Sequence, residues 1–356
     1  MVAKACRTTA PERRETQVEQ DGRDPPAERI AWVDTARALC ILLVVAWHTL
    51  DRRHGAAPLL VFVPIPLFFF IAGFFARRTL TRPWRDMADS EGVRLLYLYV
   101  LWACITFLLV AVPRAYLDGG TPDWRRIPLM FTWPFETLWF AYALAIVFLL
   151  ARLFARAPVW LTGLFLAALY AASVRNGAWF QVGFLDRLGR AALPFFLGAL
   201  LFPWAAAAIP RHCNRWPLAV ALYVPLTWVV LENGLTGAAP LTLAATLIGI
   251  AAALTFSAWL QRFPAVPRPL NLLGASTFAV YVLHRIVLFY WGLLQDAADV
   301  PARLRGPSSA IAVIVISLAL GAAILRWTPW LFDPPWQLRG RPRRGFGIGR
   351  GPTGAI

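Results

Sequence analysis

Residues 30–50 read IAWVDTARALCILLVVAWHTL, an apolar run interrupted by a few polar side chains. A helix of about 20 apolar residues is long enough to cross the roughly 30 Å hydrocarbon core of a bilayer. Similar runs recur along the chain, separated by short segments that carry most of the arginines. This stretch therefore predicts the first of several membrane-spanning helices.

The composition of the chain excludes an ordinary soluble protein. Of its 356 residues, 59% are hydrophobic and 15% are charged, whereas soluble domains carry about 25% charged residues. The net charge of +16 does not indicate a DNA-binding surface, because the arginines lie between apolar runs. We expect an all-α, polytopic transmembrane helical bundle of about ten spans. The predicted spans are residues 30–50, 58–76, 93–113, 135–151, 158–174, 190–209, 216–232, 240–260, 271–292 and 308–326.

The distribution of basic residues predicts the orientation of the bundle. With both termini in the cytosol, 23 of the 35 Lys and Arg residues fall in cytosolic segments and ten in outer segments. Cytosolic loops carry an excess of Lys and Arg, so this arrangement is favoured. We expect a disordered cytosolic tail at 1–29, a transmembrane domain at 30–326 and a Gly/Pro/Arg-rich cytosolic tail at 327–356.

Ionisable residues inside a predicted span are the strongest functional signal, because charge is costly in hydrocarbon. Asp34 and Arg37 are three residues apart and able to pair on one face of the first helix. Arg37 and His48 are eleven residues apart, which is about three turns and roughly 16 Å along the axis. All three are expected to share one stripe. The purely structural alternative is a neutralising Asp34–Arg37 pair and an interfacial histidine.

Four stretches of the chain resemble the acyltransferase-3 family of bacterial integral membrane O-acyltransferases. RIAWVDTARALCILLVVAWH is similar to the family's opening helix, in which ten residues separate an Arg from a His, as in Arg37 and His48. FVPIPLFFFIAGFFARR resembles the aromatic second helix, with Ala72 where the family usually has Ser. ETLWFAYALAIVF and ASTFAVYVLHRIVLF resemble two later helices. The short single-domain form is most similar to the fucose 4-O-acetylase-like subgroup.

The resemblance implies transfer of an acyl group, most often acetyl, from cytosolic acyl-CoA to a hydroxyl. The acceptor would be a sugar, a glycan, a lipid-linked sugar or a secreted small molecule. Attack by an alcohol on a thioester needs a base near neutral pKa, and histidine is the usual choice. We therefore expect His48 to be the base, with Glu136 and His284 as candidate catalytic partners. The candidate substrate-binding residues are Asp34, Arg37, Trp139 and Tyr281.

The four cysteines, Cys6, Cys40, Cys104 and Cys213, lack the spacing of a metal site or a disulfide framework. We expect no metal and no cofactor. The resemblance implies acyl-CoA as the donor substrate, with acetyl-CoA as the expected form. The expected partners are this donor, a hydroxyl-bearing acceptor and the lipid bilayer, with no nucleic acid. The expected location is the bacterial cytoplasmic membrane.

Two other interpretations of the sequence stay open. A transporter or flippase-like protein would use the intramembrane polar residues as a substrate path. An inactive membrane scaffold would use them only to hold helices together.

Overall fold

The computed structural model describes residues 30–50, 57–80, 92–135, 138–175 and 183–338. Within these ranges all regular structure is helical, without any β-strand. A helix satisfies every backbone N–H and C=O inside its own segment, as the interior of a bilayer requires. The predicted all-α class is confirmed. The helices are α1 (Ala31–Thr49), α2 (Pro64–Leu80), α3 (Val93–Leu117), α4 (Trp139–Leu153), α5 (Val159–Val174), α6 (Gly183–Arg211), α7 (Trp216–Glu232), α8 (Ala239–Leu260), α9 (Pro267–Ala275), α10 (Thr277–Ala297), α11 (Ala302–Trp327) and α12 (Pro335–Leu338).

Each of the ten predicted spans falls on one or more of these helices. In the described part of the chain, seven helices are long and apolar enough to cross a membrane, namely α1, α3, α4, α6, α8, α10 and α11. The helices α2, α5 and α7 have 17, 16 and 17 residues. At 1.5 Å per residue they are about 24 to 26 Å long, somewhat shorter than the hydrocarbon core. The structure thus supports seven of the ten spans by length and composition, and the remaining three stay a prediction.

The start of α1 and the segment that follows α11 lie at the same end of the bundle. Gly274, at the end of α9, packs directly against the backbone carbonyl of Asp34 in α1. Phe278, one turn further along, has its ring 6.0 Å from that of Phe332, which follows α11. We call this the Asp34 end, and the opposite end, where α1 ends and α2 begins, the His48 end. The two ends of the described chain therefore lie on one side of the bundle, and the side that faces the cytosol stays a prediction.

The predicted span 271–292 is not one helix. The chain breaks at Ser276 between α9 and α10, because Ser276 lies outside the helical region of backbone angles. The Thr277 hydroxyl donates to the Gly274 carbonyl at 2.7 Å, which satisfies an acceptor at the end of α9. A side chain at Gly274 would collide with the Asp34 carbonyl. The break and the close contact together set the height of α10 against α1.

A pair of glycines lets α2 and α6 cross at very short range. A Cβ atom at Gly73 would meet the backbone of Phe195, and a Cβ atom at Gly198 would meet the backbone of Phe70. Small residues allow such close approach of helix backbones in membranes, where packing drives association. This crossing holds α2, and with it Phe68, in place beside α4.

The segment after α11 is folded back onto α3. The indole N–H of Trp102 donates to the Leu331 carbonyl at 2.8 Å, and the ring stacks on Phe332 with centroids 5.7 Å apart. Arg94 pairs with Asp333 at 3.2 Å. Residues 331–333 of the predicted tail are therefore packed against the bundle.

Candidate active site

Two histidines from distant helices meet near the His48 end of the bundle. His48 lies in the last turn of α1 and His284 in the second turn of α10. Their ring centroids are 5.2 Å apart, with the planes inclined at 38°. His48 is exposed, whereas His284 is only 1% exposed. One imidazole thus has access to an incoming group and the other is enclosed by protein.

The buried histidine is held in one orientation by its own helix. Its Nδ1 atom is within hydrogen-bonding distance of the Tyr281 carbonyl oxygen, three residues earlier. A carbonyl oxygen only accepts, so Nδ1 carries the proton. In the neutral ring Nε2 then has a lone pair, and this buried atom has no hydrogen-bond partner among the described residues. His284 therefore presents an unused acceptor inside the bundle.

A small cavity separates the two histidines from a wall of aromatic rings. Its volume is about 30 Å³, which is room for roughly two water-sized groups. We call it the histidine cavity. Its lining residues are Val44, His48, Ile65, Phe68, Trp139, Phe140, Tyr281 and His284.

Tyr281 connects the cavity to the start of α4. The backbone N–H of Ala141, in the first turn of α4, donates to the Tyr281 hydroxyl at 3.3 Å. The same N–H also donates to the Leu138 carbonyl at 3.2 Å, so it is shared between the two oxygen atoms. Since the Tyr281 oxygen accepts this bond, its own proton remains available, and in the described part of the chain it is donated to no other group.

Trp139 closes the cavity on the side facing the start of α6. The guanidinium carbon of Arg187 lies 5.5 Å from the centroid of the indole ring, in a cation–π contact. Phe140, the next residue, packs edge to face on Tyr281 and against Phe68, with centroids 5.6 and 5.1 Å apart. The family-like Leu-Trp-Phe stretch thus supplies one wall of the cavity.

Asp34 and Arg37 lie away from this cavity, toward the Asp34 end. Arg37 forms an ion pair with Asp34, in which a guanidinium nitrogen lies 3.7 Å from a carboxylate oxygen. Its guanidinium carbon also lies 4.6 Å from the centroid of Phe75. The eleven-residue spacing from Arg37 to His48 places them roughly 16 Å apart along α1. Exposure increases along the predicted stripe: Asp34 is buried, Arg37 is half-buried and His48 is exposed.

The structure thus brings together His48, Trp139, Tyr281 and His284, and leaves Asp34 and Arg37 in a separate cluster. Glu136 lies outside the described residues. Ala72 is buried in α2 and does not line the cavity. Among the described residues no group of three His, Cys, Asp or Glu side chains is placed to hold a metal ion.

Four lining residues were not singled out as site residues by the sequence. Val44 precedes His48 by four positions, so helical spacing alone was a usable signal for it. Phe68 sits in a run of three phenylalanines for which core packing was the simpler interpretation. Ile65 and Phe140 carry no polar group, and only the packing of α2 and α4 shows that they face the histidines.

Comparison with known proteins agrees with this architecture. A family model described as an acyltransferase domain matches residues 30–326. The chain belongs to the acyltransferase-3 family. It is similar to the inner membrane protein YcfT of Escherichia coli (strain K12), with 25% identity over 300 residues that cover 74% of this chain and 80% of the relative. No solved structure matches the chain significantly. The protein is therefore a multi-pass membrane protein of an acyltransferase family.

Proposed function

We propose that this protein transfers an acyl group, with acetyl expected, from acyl-CoA to a hydroxyl of a sugar, glycan or other lipid-linked or secreted acceptor. The proposed location is the bacterial inner membrane, in keeping with the name of the Escherichia coli relative. The observation that carries the proposal is the meeting of His48 and His284 at one cavity in a family of acyltransferases.

In the proposed reaction His48 is the general base. It takes the proton from the acceptor hydroxyl while that oxygen attacks the carbonyl carbon of the thioester. The new C–O bond forms, the C–S bond breaks, and the proton passes from His48 to the departing sulfur. The products are the ester and the CoA thiol. The exposure of His48 supports this role, because the acceptor must reach the base.

His284 acts through His48. When His48 gains a proton its ring becomes a donor at both nitrogens, and the free Nε2 lone pair of His284 is a suitable acceptor beside it. The bond from Nδ1 to the Tyr281 carbonyl fixes the ring so that this lone pair persists. A neutral acceptor of this kind orients and stabilises the imidazolium without placing a second charge in the bundle.

Tyr281 is suited to stabilise the negative charge that develops on the thioester oxygen. Its hydroxyl lines the histidine cavity and has an unused proton. The N–H of Ala141, at the positive end of the α4 dipole, polarises the hydroxyl and makes it a stronger donor. A donor that is already oriented before the charge appears is an efficient form of electrostatic catalysis.

Arg37 is suited to hold an anionic part of the donor. A guanidinium group binds phosphate through paired N–H donors, and Arg37 retains partial exposure while it contacts Asp34 and Phe75. The donor would then extend from the Asp34 end toward the histidine cavity along α1. The cavity of about 30 Å³ holds only the reacting groups, so the remainder of each substrate must bind outside it.

The decisive experiment is thioester cleavage by purified protein in lipid nanodiscs, with glycans from the host envelope as acceptor. Release of CoA thiol that depends on both the acceptor and His48 supports acyl transfer. Transport of the acceptor into vesicles without any thiol release would instead establish the transporter interpretation.

A further inference from the structure

A second cavity, larger than the histidine cavity, lies at the same end of the bundle. Its volume is about 140 Å³ against about 30 Å³, enough for roughly ten water-sized groups and thus for a ligand of several heavy atoms. It is lined from the last turns of α5, the first half of α6 and the first turns of α8. Val61, Phe62 and Pro66, at or just before the start of α2, also line it, and this places the cavity at the His48 end. We call it the threonine cavity.

The buried floor of this cavity carries hydroxyl groups. Thr242, Thr246 and Tyr170 are all buried and all line it. Thr242 donates to backbone carbonyls of its own helix and receives a long hydrogen bond of 3.5 Å from Tyr170. Thr246 is 2% exposed, yet within the described residues its hydroxyl makes no hydrogen bond. Its oxygen is not among the fully enclosed side-chain atoms that lack a partner, so the hydroxyl is reachable from the cavity and available to a polar ligand.

Arg190 supplies a fixed set of further donors at the rim. Its Nε and Nη2 atoms donate to the Ser173 carbonyl at 3.1 and 2.9 Å, which holds the guanidinium group in place. A guanidinium group has five N–H donors, so three remain for a ligand. Thr236 also lines the cavity. The apolar part of the wall comes from Val61, Phe62, Pro66 and Val174.

This combination matches the chemistry of a sugar ring. A sugar presents hydroxyls that both donate and accept around its edge, and apolar C–H faces that pack on aromatic and aliphatic side chains. The hydroxyl side chains of the cavity are able to bond the sugar hydroxyls, since each can donate or accept. Phe62 and Pro66 provide an apolar surface for the C–H faces. A lipid tail would leave Thr246 and Arg190 unused, and a phosphate group alone would leave the apolar wall unused.

The two cavities adjoin across the start of α2. Ile65 and Phe68 line the histidine cavity, whereas Phe62 and Pro66 line the threonine cavity. Ile65 and Pro66 are consecutive, and successive residues of a helix point in directions about 100° apart, so the first turn of α2 borders both cavities. We infer that the threonine cavity binds a sugar unit of the acceptor while a hydroxyl of that acceptor reaches His48. This inference rests on the proposed function for the link between the two cavities.

The test is protection of a cysteine placed in the cavity, in purified full-length protein. Thr246→Cys keeps the size of the side chain, and the unsubstituted chain measures the background from the native cysteines. The probes are the methyl glycosides of glucose, galactose, mannose, fucose and N-acetylglucosamine, with glycerol 3-phosphate as the headgroup probe. A glycoside at roughly ten times its Kd should slow modification by a small methanethiosulfonate reagent about tenfold.

Protection by a glycoside supports the inference. Protection by glycerol 3-phosphate alone overturns it in favour of a lipid headgroup. A cysteine that does not react, or that reacts at one rate with every probe, also overturns it, because the cavity is then closed or filled by an alkyl chain. This measurement requires no turnover, so it separates failure of the sugar site from failure of the proposed acyl transfer.

Steady-state kinetics of two threonine variants test whether the cavity contributes to the reaction. Thr246→Val removes only the unpartnered hydroxyl and should raise the KM for the glycan acceptor about tenfold. Thr255→Val is the matched control, because Thr255 lies on the same helix and its hydroxyl is already bonded to the Ala251 carbonyl. Equal acceptor KM values for the two variants would remove Thr246 from acceptor binding.

Discussion

His48 and His284 belong to the first and the tenth helix, yet their rings lie 5.2 Å apart on one cavity. Only one of the two is exposed, and the other is fixed by the Tyr281 carbonyl with its second nitrogen unused. This asymmetry gives the pair two different chemical tasks. The exposed ring exchanges a proton with substrate, and the enclosed ring orients it.

His48→Ala should lower kcat for acyl transfer by about 10² to 10⁴, the range usual for loss of a general base. Expression and membrane insertion should stay near the unsubstituted level, because the side chain is exposed. His212→Ala is the control, since His212 is an exposed histidine between α6 and α7. The measurement is CoA thiol release at saturating acyl-CoA. Substantial residual transfer in the His48 variant would remove His48 from the mechanism.

His284→Asn should retain more activity than His284→Leu. The amide of Asn can replace part of the hydrogen bonding, whereas Leu offers neither donor nor acceptor. If His284 acts by stabilising protonated His48, both variants should also displace the acidic limb of the pH–rate profile. A fall in kcat with an unchanged profile and a lowered melting temperature would assign His284 a purely structural role.

Arg37→Lys should weaken the use of acyl-CoA more than the use of acceptor, because lysine keeps the charge but loses the paired donors. The readout is the KM for each substrate, measured separately. If the arginine serves only Asp34, then Arg37→Ala should chiefly lower the amount of protein, and the double change Asp34→Ala with Arg37→Ala should restore it. Recovery of protein and activity together in the double variant would eliminate the donor-binding role.

Gly198→Ala should destabilise the bundle by about 1 to 3 kcal/mol, since the added methyl group meets the backbone of Phe70 and forces α2 and α6 apart. Gly292→Ala is the matched control, because its added methyl group has no neighbour within 4 Å and alanine favours the helix. Thermal unfolding in one detergent compares the two. Equal stability of both variants would show that the close crossing of α2 and α6 is absent.

The orientation is tested by cysteine labelling in a variant without the four native cysteines. Cysteines at Asp118 and Pro307, both exposed, should react with an impermeant reagent in intact cells. Cysteines at Asp86 and Pro267 should not react, because the positive-inside rule places them in the cytosol. The opposite pattern would invert the bundle and move the acceptor to the cytosolic face.

The sequence by itself determined where the helices lie. Length and hydropathy are local properties, and the requirement to satisfy backbone polar groups in lipid leaves a long apolar run no other structure. The predicted runs therefore coincide with helices, even where α2, α5 and α7 fall short of a full span. The break at Ser276 was missed because both sides of it are apolar, and a break that depends on the fit of Gly274 against Asp34 leaves no mark in hydropathy.

Only the tertiary structure decided which polar residues meet. Spacing along α1 placed Asp34, Arg37 and His48 on one stripe. Arg37 and His48 are roughly 16 Å apart along that stripe, so they contact different parts of the bundle. The contact of Gly274 with Asp34 fixes the position of α10 along the axis of α1. In that position His284 lies beside His48 and not beside Arg37. The aromatic wall and the threonine cavity likewise depend on how α2 lies between α4, α6 and α8. Such contacts join residues far apart in the chain, and the packing of the helices, not their sequences taken singly, fixes them.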